Sequence, residues 1–425
     1  MWGSVIIGRL VSLVAQRLCA TCLAVWVLAI ASMNVVADAI PDSTWVALKP
    51  VPHQGHSALF ALAVDPSNNQ SVLAGTSDGS LMRSTNGGTS WVTAHKLKSP
   101  YWTISFSPYN VGLVLAGTRG SGGLISRDGG ASWAAVTGLD GRSVRSFAFA
   151  LTLVAAATDH GVYLSQDGAG WTQSSLNNRS INAIAVEAIH APVRLVAGGD
   201  SQGSGGVLPL FQSLDSGTTW TQFNPPISGS ITWKLASGPL PPTGNVRPLI
   251  VGTNSGLFFS PDNGAALTPL SGGGLLPSTD YTQVNFIADH FDRFYAASDG
   301  GGSSSGGLWR TNDGGQTFTS LQPPQASVTA LAISSNEDPT LYVATVRPSD
   351  LTPSLWVYHD TGGTPQGPAQ TPTTPSSGAR TNGGGSSASL GQLLATPELP
   401  YIGLGIAALA LIVTAVVAHL RGRRR

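Results

Sequence analysis

Charge is scarce in this sequence, and glutamate scarcer still. Charged residues make up 10% of the chain, against about a quarter in an ordinary soluble domain. The only glutamates are Glu187, Glu337 and Glu398. Glycosidase chemistry needs paired carboxylates, and the aspartates left outside recurring turns, such as Asp140, Asp200, Asp280 and Asp350, show no pairing by sequence. Cysteine is nearly absent. Cys19 and Cys22 both lie in an apolar N-terminal segment, so the chain beyond it has no disulfide to draw on. The eight histidines are scattered without zinc-ligand spacing, so no metal is expected. The Gly301–Gly302–Ser303 loop lacks the Lys-Ser/Thr of a phosphate loop, and no other cofactor motif is present. Long helical patterns are missing too: nothing between 43 and 360 repeats its apolar residues every 3.6 positions.

What the chain has instead is one short motif, Ser/Thr-x-Asp-x-Gly-x-Thr/Ser-Trp, written seven times. The clear copies are Ser126–Trp133 (SRDGGASW), Ser213–Trp220 (SLDSGTTW) and Thr311–Phe318 (TNDGGQTF). STNGGTSW, Ser84–Trp91, has Asn86 for Asp, and SQDGAGW, Ser165–Trp171, is one residue short. SPDNGAAL, around Asp262, and HDTGG, His359–Gly363, are worn copies. The starts recur every 39 to 51 residues, which indicates a repeat architecture.

Each repeat carries four short runs rich in Val, Ile, Thr and aromatics, separated by Gly, Asp and Asn. These read as strands. Four strands in each of seven repeats predict an all-β, seven-bladed propeller of four-stranded antiparallel blades. The seventh repeat lacks its fourth strand at the C-terminal side. STWVALKP, Ser43–Pro50, matches the fourth-strand start TSWVTAHK of the first repeat. It is expected to complete the last blade and close the ring, with Trp45 as the motif Trp.

The motif residues have a structural reading. Asp and Ser/Thr side chains satisfy turn amides, and Gly supplies a positive φ. Trp buries a large apolar surface and can donate its indole N–H. Ser84, Asn86, Trp91, Ser126, Asp128, Trp133, Ser165, Asp167, Trp171, Ser213, Asp215, Trp220, Asp262, Thr311, Asp313 and Phe318 are assigned this role. The motif resembles the Asp box, or BNR repeat, of sialidases, sortilin-type receptor domains, xyloglucanases and photosystem assembly factors. The resemblance covers roughly 43–360. It implies the propeller fold and leaves function open, because those relatives do unrelated things. No Phe-Arg-Ile-Pro element introduces a sialidase arginine triad here, and no relative's catalytic residues can be carried over.

The ends carry addresses. Arg9 and Arg17, an apolar run from Leu18 to Val36, and Ala37-Asp38-Ala39 read as a secretory signal peptide over 1–39. Residues 361–399, rich in Gly, Ser, Thr, Pro and Gln, read as a flexible tether with a reach of roughly 35 Å. Residues 400–420 are long and apolar enough to span a bilayer, and the arginines of 421–425 hold that end in the cytoplasm. Leu399-Pro400-Tyr401-Ile402-Gly403 resembles a sortase sorting signal, with Ile402 where the cleaved Thr belongs. The propeller, 40–360, is then exported and membrane-tethered. Setting aside both predicted end segments and Asp38 leaves 16 basic against 21 acidic residues, five charges negative. That composition argues against a nucleic-acid partner.

The expected activity is binding or scaffolding of a protein or glycan, without catalysis. A sialidase-like glycosidase and an assembly factor for a membrane complex are the alternatives. The binding face should lie opposite the motif turns, where three second-to-third-strand connections are long. One varied position near the start of each innermost strand, occupied by Phe60, Trp102, Arg145, Asn182 and Thr329, should point to the channel mouth. Trp102 with Tyr101, and Arg145 with Arg142, are the ligand-binding candidates.

Overall fold

The computed structural model describes residues 42–48, 57–201, 208–223, 227–242, 246–262, 264, 266–300, 306–350 and 352–363. The predicted signal peptide, most of the tether, the apolar span and the basic tail lie outside the described residues. Among the described residues, no helix is long and apolar enough to cross a membrane.

Seven four-stranded antiparallel sheets form the ring. In chain order, the blades' inner strands are Leu59–Asp65, Tyr101–Phe106, Val144–Phe149, Ile181–Ala188, Thr232–Ser237, Gln283–Phe286 and Ser327–Ile333. Six blades use four consecutive strands. The seventh does not. Its outermost strand is Trp45–Ala47, paired antiparallel to Thr352–His359 with Trp45 opposite Tyr358. The N-terminal strand thus completes the last blade, as the sequence predicts.

The core lies between blades. Each of seven apolar clusters joins two neighbouring blades, and the cluster containing Leu62, Met82, Tyr342 and Val357 joins the last blade to the first. A lone blade buries one face at most, so this pairing is what makes the sheets stable. The small residues that end the second strands have a packing reason. A Cβ on Gly117 would lie 2.6 Å from the Val144 carbonyl oxygen, and one on Gly252 would lie 2.4 Å from that of Tyr281. The start of the next blade's inner strand, or the link just before it, crosses at these points, and only glycine leaves room for its backbone.

Connections alternate between two faces, because antiparallel strands in the order one to four turn back at alternate ends. The first-to-second-strand turns share one face with the motif turns. The second-to-third-strand turns and the blade links share the other.

Candidate functional site

The inner strands carry a repeated irregularity. In six of seven blades, the register with the second strand shifts by one residue near the inner strand's start. The residue skipped is Phe60, Trp102, Arg145, Asn182, Trp233 or Thr329. A β-bulge of this kind re-aims a side chain out of the sheet alternation. Here five of the six, all but Thr329, line a single cavity of about 580 Å³ on the ring axis. It opens on the face of the blade links. The sixth blade has no bulge and supplies Gln283 and Asn285.

One wall of the cavity is organised around Trp102. The guanidinium carbons of Arg119 and Arg145 each lie 5.5 Å from the Trp102 ring centroid, within cation–π range. Arg145 donates to Ser180 Oγ at 2.6 Å and to Asn182 Oδ1. Asn182 Nδ2 in turn donates to Asp200 Oδ1 at 2.7 Å. Side chains from three successive blades are thereby held in one chain of contacts, Trp102–Arg145–Asn182–Asp200.

Across the cavity stands Lys234. Its remaining accessible surface is cavity wall, and burial by the ring pushes its amine below the usual lysine range. Among the described residues, no carboxylate lies within ion-pair distance of it. Asp200 is the sole carboxylate among the described residues lining the cavity. Nearby, on the link into the sixth blade, burial and the neighbouring Asp299 push the Asp280 carboxyl up.

Of the candidates named from sequence, the structure brings Trp102 and Arg145 together and places Tyr101 and Arg142 elsewhere. Tyr101 is fully buried between the first two blades, its hydroxyl 2.9 Å from His95 Nδ1. Arg142 is on the link before the third blade and does not line the cavity. Trp233 and Lys234 escaped the sequence reading, and Asp200, noted there only as an aspartate outside the recurring turns, was not connected to this cavity. The signal for Trp233 was present: it follows a buried Thr232 as Trp102 follows Tyr101. The fifth inner run begins one residue later than its apolar pattern suggests, because Ile231 forms an isolated bridge with Asp200 instead. Asp350, also named as a free aspartate, is exposed and paired with Arg347 at 3.0 Å.

The motif turns occupy the opposite face and satisfy themselves. Ser126 Oγ donates to Asp128 Oδ1 at 2.8 Å and accepts from Gly130 N at 2.8 Å. Asp128 also accepts from the Ala131 and Ser132 amides and the Ser132 hydroxyl. Trp133 Nε1 returns to Gly130 O at 3.0 Å. Ser213, Asp215 and Trp220 repeat this pattern. Ser165, Asp167 and Trp171 do so in the shortened copy. Thr311 and Asp313 keep the turn, although Phe318 has no indole to donate. Ser84 with Asn86, and Ser260 with Asp262, keep the hydroxyl bond. The Trp91 indole N–H makes no hydrogen bond.

The seventh copy differs. Tyr358 stands opposite Leu341 as Ser260 stands opposite Leu249, so Asp360 takes the motif Asp position. Its carboxylate turns inward, is wholly buried, and meets Arg310, Arg293 and the Tyr295 hydroxyl of the sixth blade. Trp45, in place of the motif Trp, donates to Leu321 O of that blade at 2.8 Å.

No family model matches the sequence, and no curated protein does. Solved structures match by fold. YCF48 from Cyanidioschyzon merolae is 16% identical with a TM-score of 0.51, covering 74% of this chain and 99% of that one. YCF48 bound to D1 peptide is 17% identical with a TM-score of 0.52, covering 77% and 100%. The RRP9 WD40 repeats are 15% identical with a TM-score of 0.56, covering 75% and 98%. At such identities the likeness is one of fold.

Proposed function

We propose that this chain is a non-catalytic binding module of the Asp-box class, exported and tethered to a membrane by residues 400–420, that holds a segment of a protein partner at the channel mouth. The observation that carries the reading is the bulge row, which directs side chains from five blades into one cavity. The self-satisfied Ser–Asp–Gly turns support the Asp-box assignment. Arg119, Arg145 and Lys234 against Asp200 suit a peptide that bears carboxylates, with Trp102, Phe60 and Trp233 offering flat apolar contact. That a propeller of this fold, YCF48, is seen with a peptide supports a protein ligand over a glycan.

The test is a peptide array and a glycan array probed with the full chain in detergent. Acidic peptides should bind, and Trp102→Ala with Arg145→Ala should weaken them at least tenfold at unchanged melting temperature. Binding confined to glycans overturns the reading. The hydrolase alternative draws on one observation, the raised Asp280 carboxyl beside Asp299. Turnover of a polysaccharide that Asp280→Asn abolishes would replace our reading with that one.

A further inference from the structure

The face that carries the motif turns has apolar side chains that the ring does not use. Among the described residues, eight large apolar side chains are exposed. Phe60 belongs to the cavity, and Val92 to the outer strand of the first blade. The other six are Tyr109, Val111, Leu151, Leu214, Leu240 and Phe291. Leu214 lies in a motif turn, and the rest lie between first and second strands. All six therefore share one face, spread over the second to sixth blades. Val111 is 85% exposed and Leu240 50%. Single exposed apolar residues need no explanation, but their confinement to one face among the described residues does.

The chain enters and leaves the ring on this same face. The strand Thr352–His359 ends there, and Asp42, at the start of the closing strand, bridges to His359 beside it. Beyond Gly363 the sequence runs through a Pro/Ser/Thr-rich segment to the apolar stretch 400–420. We infer that the motif-turn face rests on the lipid surface in which that stretch is anchored, with the six side chains entering the interfacial layer. The inference rests on the proposed membrane tether. It commits to a zwitterionic surface, because Asp128, Asp167, Asp215, Asp262 and Asp313 all stand on this face and would be repelled by anionic headgroups. In this orientation the cavity mouth points away from the membrane.

The experiment uses the full chain in phosphatidylcholine vesicles, with Cys19 and Cys22 replaced by serine. Single cysteines at Val111→Cys, Leu240→Cys and, on the opposite face, Ser121→Cys carry a polarity-sensitive fluorophore. Lipids with spin-labelled headgroups supply the quencher. Quenching should be at least threefold stronger at 111 and 240 than at 121, and should fall when half the lipid is phosphatidylserine. Equal quenching at the three sites overturns the inference. So does protection of 111 and 240 by an added protein without quenching by lipid. Alkaline extraction of the vesicles separates the two readings. A chain that stays with the lipid but shows no face difference defeats this inference alone, and a chain that is extracted defeats the tether and the inference together.

Discussion

A motif aspartate gains most of its stability from donors within four residues. Hydrogen bonds from the Ser132 hydroxyl and amide hold the Asp128 carboxyl down at about 2, against an ordinary value near 3.8. Thr219 does the same for Asp215. A carboxyl depressed in the folded state contributes stability above its unfolded pKa and loses it as pH falls through the folded one. The melting temperature should therefore drop between about pH 4 and pH 2, and Asp128→Ala should shrink that acid limb. Glu187 works in the opposite sense. It lies within the fourth inner strand and is buried, and burial pushes its carboxyl up to about 7. Its proton is favoured in the folded state, so the penalty of ionising it is absent below about pH 4.5 and complete above about pH 7. Glu187→Gln should raise the melting temperature at pH 8 and leave it nearly unchanged at pH 4.

At the scale of elements, the seam between the sixth and seventh blades is the unusual joint. The closing strand is only three residues long, and three residues pair weakly alone. Trp45 compensates: it is fully buried, packs against Tyr358 with ring centroids 4.7 Å apart and planes inclined at 37°, and donates to the neighbouring blade. Trp45→Ala should cost about 3–5 kcal/mol in urea unfolding. Asp360 secures the same joint by charge. Arg310 is 4% exposed, so Asp360→Ala leaves a buried guanidinium without its counter-charge, at a cost of about 3–5 kcal/mol. A loss below 1 kcal/mol in either variant would show that the seam is held elsewhere.

For the molecule as a whole, closure makes the blades interdependent. Every apolar cluster is shared by two blades, so removing one strand opens two interfaces. Deleting residues 43–48 should bare the edge of Thr352–His359 and uncover Tyr358 and Val357. Bare edges invite pairing with other chains. The truncated protein should scatter light on mild warming under conditions where the full chain stays clear. A truncated protein that melts like the full chain would mean that the ring closes without this strand.

The sequence by itself determined the repeat, the number of blades, the strand class and the strand that closes the ring. It could do so because the motif turn is local: Ser126, Asp128 and Ser132 recognise one another within a few residues, wherever the blade sits. It also marked Trp102 and Arg145 as varied positions on inner strands. Tertiary structure decided where those side chains point. A bulge adds one residue to a strand and breaks the two-residue alternation from which facing is read. Tyr101 and Trp102 are therefore adjacent in the chain, yet one is core and the other cavity wall. The cavity collects Asp200 and Lys234 from different blades, and no local pattern relates them. The seventh motif shows the same limit: Asp360 turns inward because Arg310 and Arg293, 50 and 67 residues away, supply a buried charge for it to meet.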